Sequence, residues 1–456
     1  MIAFAQRDLL KYAMPTTYRP YVPEQMVLLP QSLAEWLPEG HLAHFVGDAI
    51  DALDLGAFYA RYAGDGRRRQ PFDPLMMVKV LVYGYASGVF SSRKIATRMQ
   101  EDVAFRFLGA NNFPAHRTIR EFRQLHIKEF SSLFVEVVKL AKEAGLIKLG
   151  RLGVDGTKVR ANASKHKAMG YGRMKDEEIR LKGEIENLLK QAEALDAVED
   201  AEHGPDRVGN ELPDELQRRE SRLRVIKEAK ARLEKRQQEQ DEELGRKPDD
   251  KRRPPNGRGP NYQRDFGVPH DQAQENFTDP ESRIMKTQEG YQQCFNGQAG
   301  VDEGSLLIVA NDVGNNASDH GQLLPMLEKV QSNTGALPEM VLADSGYASE
   351  KTLLELESRK IPACVALGRE GKSDRRIDAE KYPAKARMAA RLKTPEGEAH
   401  YRRRKVIPEP VFGWIKQALG FRRFSMRGLE RVKGEWDLIC LAVNLKRLRT
   451  LEWSFA

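Results

Sequence analysis

A discontinuity limits the folds open to this chain of 456 residues. A strand-like run, LGVDGTKV from Leu152, opens a pattern of short apolar strands that resumes only at Gly297. The residues between are of another kind. Segment 175–197 carries Leu181, Ile185, Leu188 and Ala192 at helical spacing among Glu and Lys. Segment 214–241 repeats that style with Leu216, Leu223, Ile226 and Leu233. With AEHGPDRVGNELP joining them, the two predict an antiparallel helical hairpin. GRKPDDKRRPPNGRGPNYQ, from Gly245, predicts a flexible return loop through its Pro, Gly and charge. An independent coiled-coil dimer arm fits the same pattern. No tandem repeat of the solenoid kind is present. A sheet that begins near residue 151 and continues near 297 must therefore carry an insertion between its first two core strands.

On either side of that insertion the periodicity differs. Residues 1–148 read as helical, with Leu42, Phe45, Ala49 and Leu53 at helical spacing. PLMMVKVLVYGYASG, from Pro74, is apolar nearly all round and predicts a buried central helix opened by its proline. Thr118-Ile-Arg-Glu121 fits a capping box. The helix it would open carries Ile119, Phe122, Phe130, Leu133, Val137 and Leu140, with a break near His126. From residue 151 the pattern changes to strands over 151–155, 297–302 and 306–313, the last two joined by a Glu303-Gly304 turn. Helices over 320–331 and 351–358 alternate with strands at MVLAD (from Met340) and 362–367. A helix over 411–418 precedes a last one carrying Leu438, Leu441, Leu445 and Leu448. Alternation of this kind predicts an α/β layer fold.

Charge placement narrows the partner. Residues 360–456 hold 23 Lys and Arg against 11 Asp and Glu, whereas the rest of the chain is slightly acidic. A basic quarter rich in Arg suits a polyanion. Three scattered cysteines, Cys294, Cys364 and Cys440, without C-x-x-C, argue against a disulfide framework or a zinc ribbon and fit a reducing cytoplasm. The start, MIAFAQRDLLKYAMP, has Asp8 and Lys11 where a signal peptide would be apolar. No apolar run reaches the ~18 residues of a membrane span.

Three acids stand out. Asp155 and Asp344 each end an apolar strand and are followed by small residues, and strand carboxyl ends are where α/β sheets bind ligands. Glu409 lies between Pro408 and Pro410, after Arg402, Arg403, Arg404 and Lys405. Lys416 follows it by about two helical turns, which predicts a shared face. Each acid alone has a structural explanation as a turn former or a helix start. Together, carboxylates ringed by Lys and Arg are what divalent-metal chemistry on a nucleic acid requires. The expectation is that Asp155, Asp344 and Glu409 converge to hold Mg²⁺, with Mn²⁺ able to substitute.

These residues resemble a known family, the DDE transposases of bacterial insertion sequences. VDGTK at Asp155 resembles the first-acid motif, and ADSGYAS at Asp344 is similar to the second. Tyr401, Arg404, Glu409 and Lys416 resemble the Tyr–Arg–Glu–Lys signature, although one residue more than usual separates Tyr401 and Arg404 from the acid. SSRKIATRMQEDVAFRFL (from Ser91), HRTIREFRQLH (from His116) and NFTDPESRIMKT (from Asn276) look like one subgroup of that family, with Pro114-Ala115-His116 in place of its Pro-Asp-His.

The resemblance implies a mixed, RNase H-like sheet flanked by helices, an all-helical N-terminal domain and a helical-hairpin insertion. The corresponding boundaries are 1–148, then 149–165 with 285–456, and 166–284 for the insertion. It implies binding to terminal inverted repeats, DNA cutting by a metal-activated water, and joining of 3′-hydroxyl ends to target DNA. A dimer or larger assembly on paired ends is expected. Tyr401, Arg404 and Lys416 would contact phosphates or the DNA end, and so would Lys158 and Arg160. Asn296 and Gln298 fit either support of the acids or buried polar packing. His116 and His320 read as structural or surface residues. Arg117, Arg120 and Arg123, at spacing three, predict one basic stripe, which suits a recognition helix in the major groove or a solvated face. A catalytically silent DNA-binding relative and a non-transposing RNase H-like nuclease are the alternative readings.

Overall fold

A computed structural model describes residues 32–62, 71–164, 167–203, 214–248, 264–368 and 377–453. The chain start, the loop expected to join the hairpin helices and most of the expected return loop lie outside the described residues.

The N-terminal stretch is helical. It forms α1 (Leu42–Asp51), α2 (Gly56–Ala60), α3 (Pro74–Ala86), α4 (Ser92–Glu101), α5 (Val103–Leu108), α6 (His116–Leu125) and α7 (Ile127–Glu143). Helix α3 is buried almost all round, as its continuous apolar sequence requires, and Asp73 caps it by accepting from the Leu75 N–H at 2.8 Å. The break at His126 occurs as expected. The capping box does not: α6 begins at His116 with Ala115 at the cap, because Pro114-Ala115 enters in extended geometry, which puts Thr118 inside the helix.

The sheet comes next. Its parts are β1 (Arg151–Arg160), β2 (Ala168–Gly170), α8 (Tyr171–His203), α9 (Asp214–Glu243), β3 (Gln274–Asn276), β4 (Arg283–Thr287), β5 (Gly290–Asp302) and β6 (Ile308–Gly314). Then follow α10 (Leu323–Thr334), β7 (Met340–Ala343), α11 (Glu350–Ser358), β8 (Ala363–Val365), α12 (Pro383–Leu392), α13 (Pro395–Val406), α14 (Pro408–Gly413) and α15 (Leu429–Thr450). A six-stranded mixed sheet runs β4-β5-β1-β7-β8, with β6 also paired to β5. Strands β4, β5, β6 and β1 pair antiparallel, whereas β7 runs parallel to both β1 and β8.

One buried core joins the N-terminal helices to the sheet, from Ala43 through Phe295 to Leu448. Helix α15 packs against α3, α7 and β6. Its Asn444 side chain exchanges two hydrogen bonds with the Ile308 backbone, at 2.9 and 2.8 Å, which fixes the helix on the sheet. The insertion has a core of its own, with Met169, Met174, Leu181, Ile226 and Leu233 packed between α8 and α9. Ion pairs Lys230–Glu178 (3.0 Å) and Arg219–Glu184 (2.8 Å) link the two helices in antiparallel order.

Candidate active site

The register of β1 against β7 brings two of the predicted acids together. Val154 pairs with Ala343, so Asp155 and Asp344 are the next residues on neighbouring parallel strands. Such strands lie about 4.8 Å apart and alternate faces in step, so the two carboxylates emerge side by side. Asp155 is not the last residue of its strand, contrary to expectation. On its other edge β1 continues to Arg160, because β5 pairs with it from Leu152 to that residue. Only the parallel ladder ends at the acids.

Sequence reasoning missed a further acid. Asp319, in the loop between β6 and α10, carries its carboxylate to the same place. Asn296 and Gln298 project from β5 and donate to its Oδ1 at 2.7 and 2.6 Å. Lys158 Nζ lies 3.8 Å from the same oxygen, and Tyr347, three residues past Asp344, donates to Gln298 Oε1. Gly156 makes room for this arrangement: a Cβ there would come within 2.4 Å of both Asp319 Oδ1 and Gln298 Nε2. Asn296 and Gln298 therefore support the acid cluster, being buried and hydrogen-bonded to it. The helix expected over 320–331 begins only at Leu323, which leaves Asp319 free to turn inward. A clue lay in the Asn-x-Gln pair on β5, whose two amides point to a common acceptor.

Electrostatics follow from this crowding. Burial first, then the charges of Asp344 and Asp319, push the Asp155 carboxyl up to about 6, against the Gly156 N–H and Arg404. Asp344 is raised as well, first by burial and then by Asp319, against its Gly346 N–H bond, Arg404 and Lys158. Arg404 in turn stacks on Tyr401, 5.3 Å from the ring centroid.

Glu409 does not join the pair in this structure. It stands exposed in the first turn of α14, and among the described residues no three or more His, Cys, Asp and Glu side chains are grouped to hold one ion. Pro408, lacking an N–H, ends α13 and restarts the chain as α14, packed so closely on β1 that a Cβ on Gly153 would lie 2.9 Å from the proline Cδ. Glu409 is thus one residue from a contact with β1 two positions before Asp155. Between Glu409 and Lys416, Trp414–Ala418 winds as a π-helix, which shifts the phase of Lys416 from that of a regular α-helix. Lys416 Nζ instead donates to the Lys158 carbonyl at 2.9 Å. Half-buried, mutually repelling oxygen ligands such as Asp155 and Asp344 nonetheless fit a hard divalent cation, which would relieve their repulsion.

The basic stripe on α6 divides. Arg117 and Arg120 are exposed, but Arg123 is buried and donates at 2.8 Å to both the Tyr85 hydroxyl and the Phe90 carbonyl. Three-residue steps advance about 300° around a helix, so the third arginine rotates off the solvent face. Arg123 is a core residue and unavailable to DNA.

With this geometry in view, comparison with known proteins is decisive. Residues 264–445 match the family described as Transposase DDE domain, and residues 31–125 match the one described as Transposase domain (DUF772). The chain belongs to the DDE transposases of insertion sequences. Its sheet is accordingly the RNase H-like one, and its family is that of DNA-cleaving enzymes of transposition and DNA recombination, which generally use divalent metal ions. No curated protein and no solved structure matches the chain. The DDE match contains Asp344 and Glu409 but begins beyond Asp155, since the insertion separates β1 from the rest of the sheet in sequence. Among the described residues, no helix of this transposase is long and apolar enough to cross a membrane.

Proposed function

We propose that this transposase binds the terminal inverted repeats of its own element, cuts the DNA there and joins the freed 3′-hydroxyl ends to target DNA. Asp155 and Asp344 are the central acids, and Glu409 is the third, brought in by a side-chain rotation on α14. Together they would hold the divalent cations, Mg²⁺ with Mn²⁺ as substitute. Bound there, such ions supply an activated water and charge stabilisation at phosphorus. The chain itself orients the acids through the β1–β7 register and holds Asp344 by the Gly346 N–H at 2.8 Å. It meets the phosphates with Lys158, Arg160, Arg404 and Lys416, while Tyr401 stacks on Arg404.

The observation that carries this reading is the side-by-side emergence of Asp155 and Asp344 with Lys158 and Arg404 in electrostatic reach. We assign residues 1–148 to end recognition, with Arg117 and Arg120 as its exposed cations, 149–165 with 285–456 to catalysis and 166–284 to the inserted arm. Activity belongs to a dimer or larger assembly on paired DNA ends, in a bacterial cytoplasm at the nucleoid.

The test uses duplexes copied from the DNA flanking the gene, with Mg²⁺ or Mn²⁺. Asp155→Asn, Asp344→Asn and Glu409→Gln are each expected to bind such a duplex and fail to cut it. Cutting retained by one variant removes that residue from the site. Wild type that binds the repeats and never nicks them would favour a silent relative, and cutting without strand transfer a simple nuclease.

A further inference from the structure

Beside the acids lies a cleft of ≈ 580 Å³, bounded by β1, the turn between β4 and β5, and α14 with the π-helical turn after it. Among the described residues its charged lining is Lys158, Arg160, Lys286, Lys416, Arg422 and a single acid, Glu289. Gly156 lines it too, so it opens directly next to Asp155. Lys158 belongs to both places, reaching Asp319 at its other end.

The cations are held in position by structure rather than by chance of sequence. The Arg160 N–H bonds the Arg422 carbonyl at 3.1 Å and the Phe424 N–H bonds the Arg160 carbonyl at 2.9 Å, which stitches the Arg422 segment to the end of β1. Lys416 is anchored on the Lys158 carbonyl. Lys286 is exposed on β4 and has no ion pair among the described residues. Arg160 is paired to Glu289 at 3.1 Å, but both side chains are open to solvent, at 41% and 58% exposure. Exposed pairs of this kind contribute little and exchange readily for a stronger anion. Five cations in one concavity focus a positive potential that a phosphodiester chain matches.

We propose that this cleft seats the backbone of the DNA strand that leads into the acid pair, with Lys286 and Arg422 as phosphate contacts. An incoming phosphate displaces Glu289 from Arg160, so Glu289 opposes binding. The proposal rests on the reading of the chain as a DNA-cutting transposase and names where on the protein the strand lies.

Binding of the full-length protein to a flanking-repeat duplex, measured across a salt series, tests it. Lys286→Gln and Arg422→Gln are each expected to weaken binding and to lower the slope of log affinity against log salt by about 1. Glu289→Gln is expected to tighten binding, an opposite sign that general damage to the fold would not produce. Thermal midpoints close to wild type accompany all three, since each residue is exposed. Wild type that binds while the double variant Lys286→Gln/Arg422→Gln keeps its full slope overturns the cleft and leaves the transposase reading intact. Weaker binding by Glu289→Gln overturns it equally. Wild type that binds no DNA overturns the reading and the cleft together.

Discussion

Burial and the carboxylates of Asp344 and Asp319 push the Asp155 carboxyl from its ordinary 3.8 up to about 6. An acid whose pKa is raised on folding binds more protons folded than unfolded between those values. Its contribution to stability therefore declines as pH rises through that window and stays low above it. Asp155→Asn removes the charge while keeping an oxygen for the Gly156 N–H. In the presence of a chelator at pH 8, this variant is expected to be more resistant to urea by about 1–3 kcal/mol. The gain should shrink toward zero as pH falls through 4. A variant less stable than wild type at pH 8 would show that the acid is not under this repulsion. Gly156→Ala tests the same crowding from the backbone. Its Cβ would collide with Asp319 Oδ1 and Gln298 Nε2. The expected cost is about 1–3 kcal/mol by urea titration, as for other overpacked sites, with loss of cleavage. Unchanged stability together with full cleavage would mean that Asp319 can stand elsewhere at no cost.

Elements are held to one another by buried polar groups as much as by apolar contact. Glu435 on α15 is fully buried and accepts from the Tyr85 hydroxyl of α3 (2.9 Å), the Ser425 hydroxyl (2.6 Å) and the Ser425 and Met426 N–H groups (2.9 and 3.1 Å). Arg123 of α6 completes the network through the Tyr85 hydroxyl. Glu435→Ala strands these donors and the arginine charge, so a loss of about 3–5 kcal/mol is expected in urea. Tyr85→Phe should cost less, about 1.5–3 kcal/mol by the same measurement, since its hydroxyl bonds two charged groups that keep other partners. A loss under about 1 kcal/mol for Glu435→Ala would mean that the charged groups find other partners. The network also marks how far sequence reasoning reached. Periodicity revealed α3 and the helical N-terminal stretch because each apolar stripe is local, and Asp155 and Asp344 stood out because each follows an apolar strand. Asp319 did not, and the stripe spacing of Arg123 hid its buried role, because the partners of both lie on elements distant in sequence. Strands β2 and β3, at three residues each, and the polar helix α13 carry too few apolar positions to announce themselves.

At the scale of the whole molecule, the long insertion has a core separate from the one that joins the N-terminal helices to the sheet. Its base is a small antiparallel ladder in which Gly170 pairs with Gln274. Paired residues in such a ladder lie only about 4.5–5.5 Å apart, close enough for a two-residue turn. Replacing residues 171–273 by Asn-Gly should therefore close a hairpin without pulling on β1 or β4. The main anchor lost is the pair Arg232 and Arg236, which donate to Glu275, buried at the base, the former from Nε at 2.7 Å. Removing the arm takes away both arginines, and Glu275, next to the new turn and within reach of the Arg283 charge, is expected to face water rather than stay buried unpaired. The shortened chain is expected to unfold in one cooperative step within about 5 °C of the wild-type main transition. The acids, the basic cleft and the N-terminal helices all lie outside the excised residues, so it should still bind repeat DNA. Retained cutting would confine the arm to a role beyond the chemical step, such as pairing two DNA ends, and cutting lost with binding intact would make it part of the active assembly. A shortened chain that fails to fold would show instead that the two cores depend on one another.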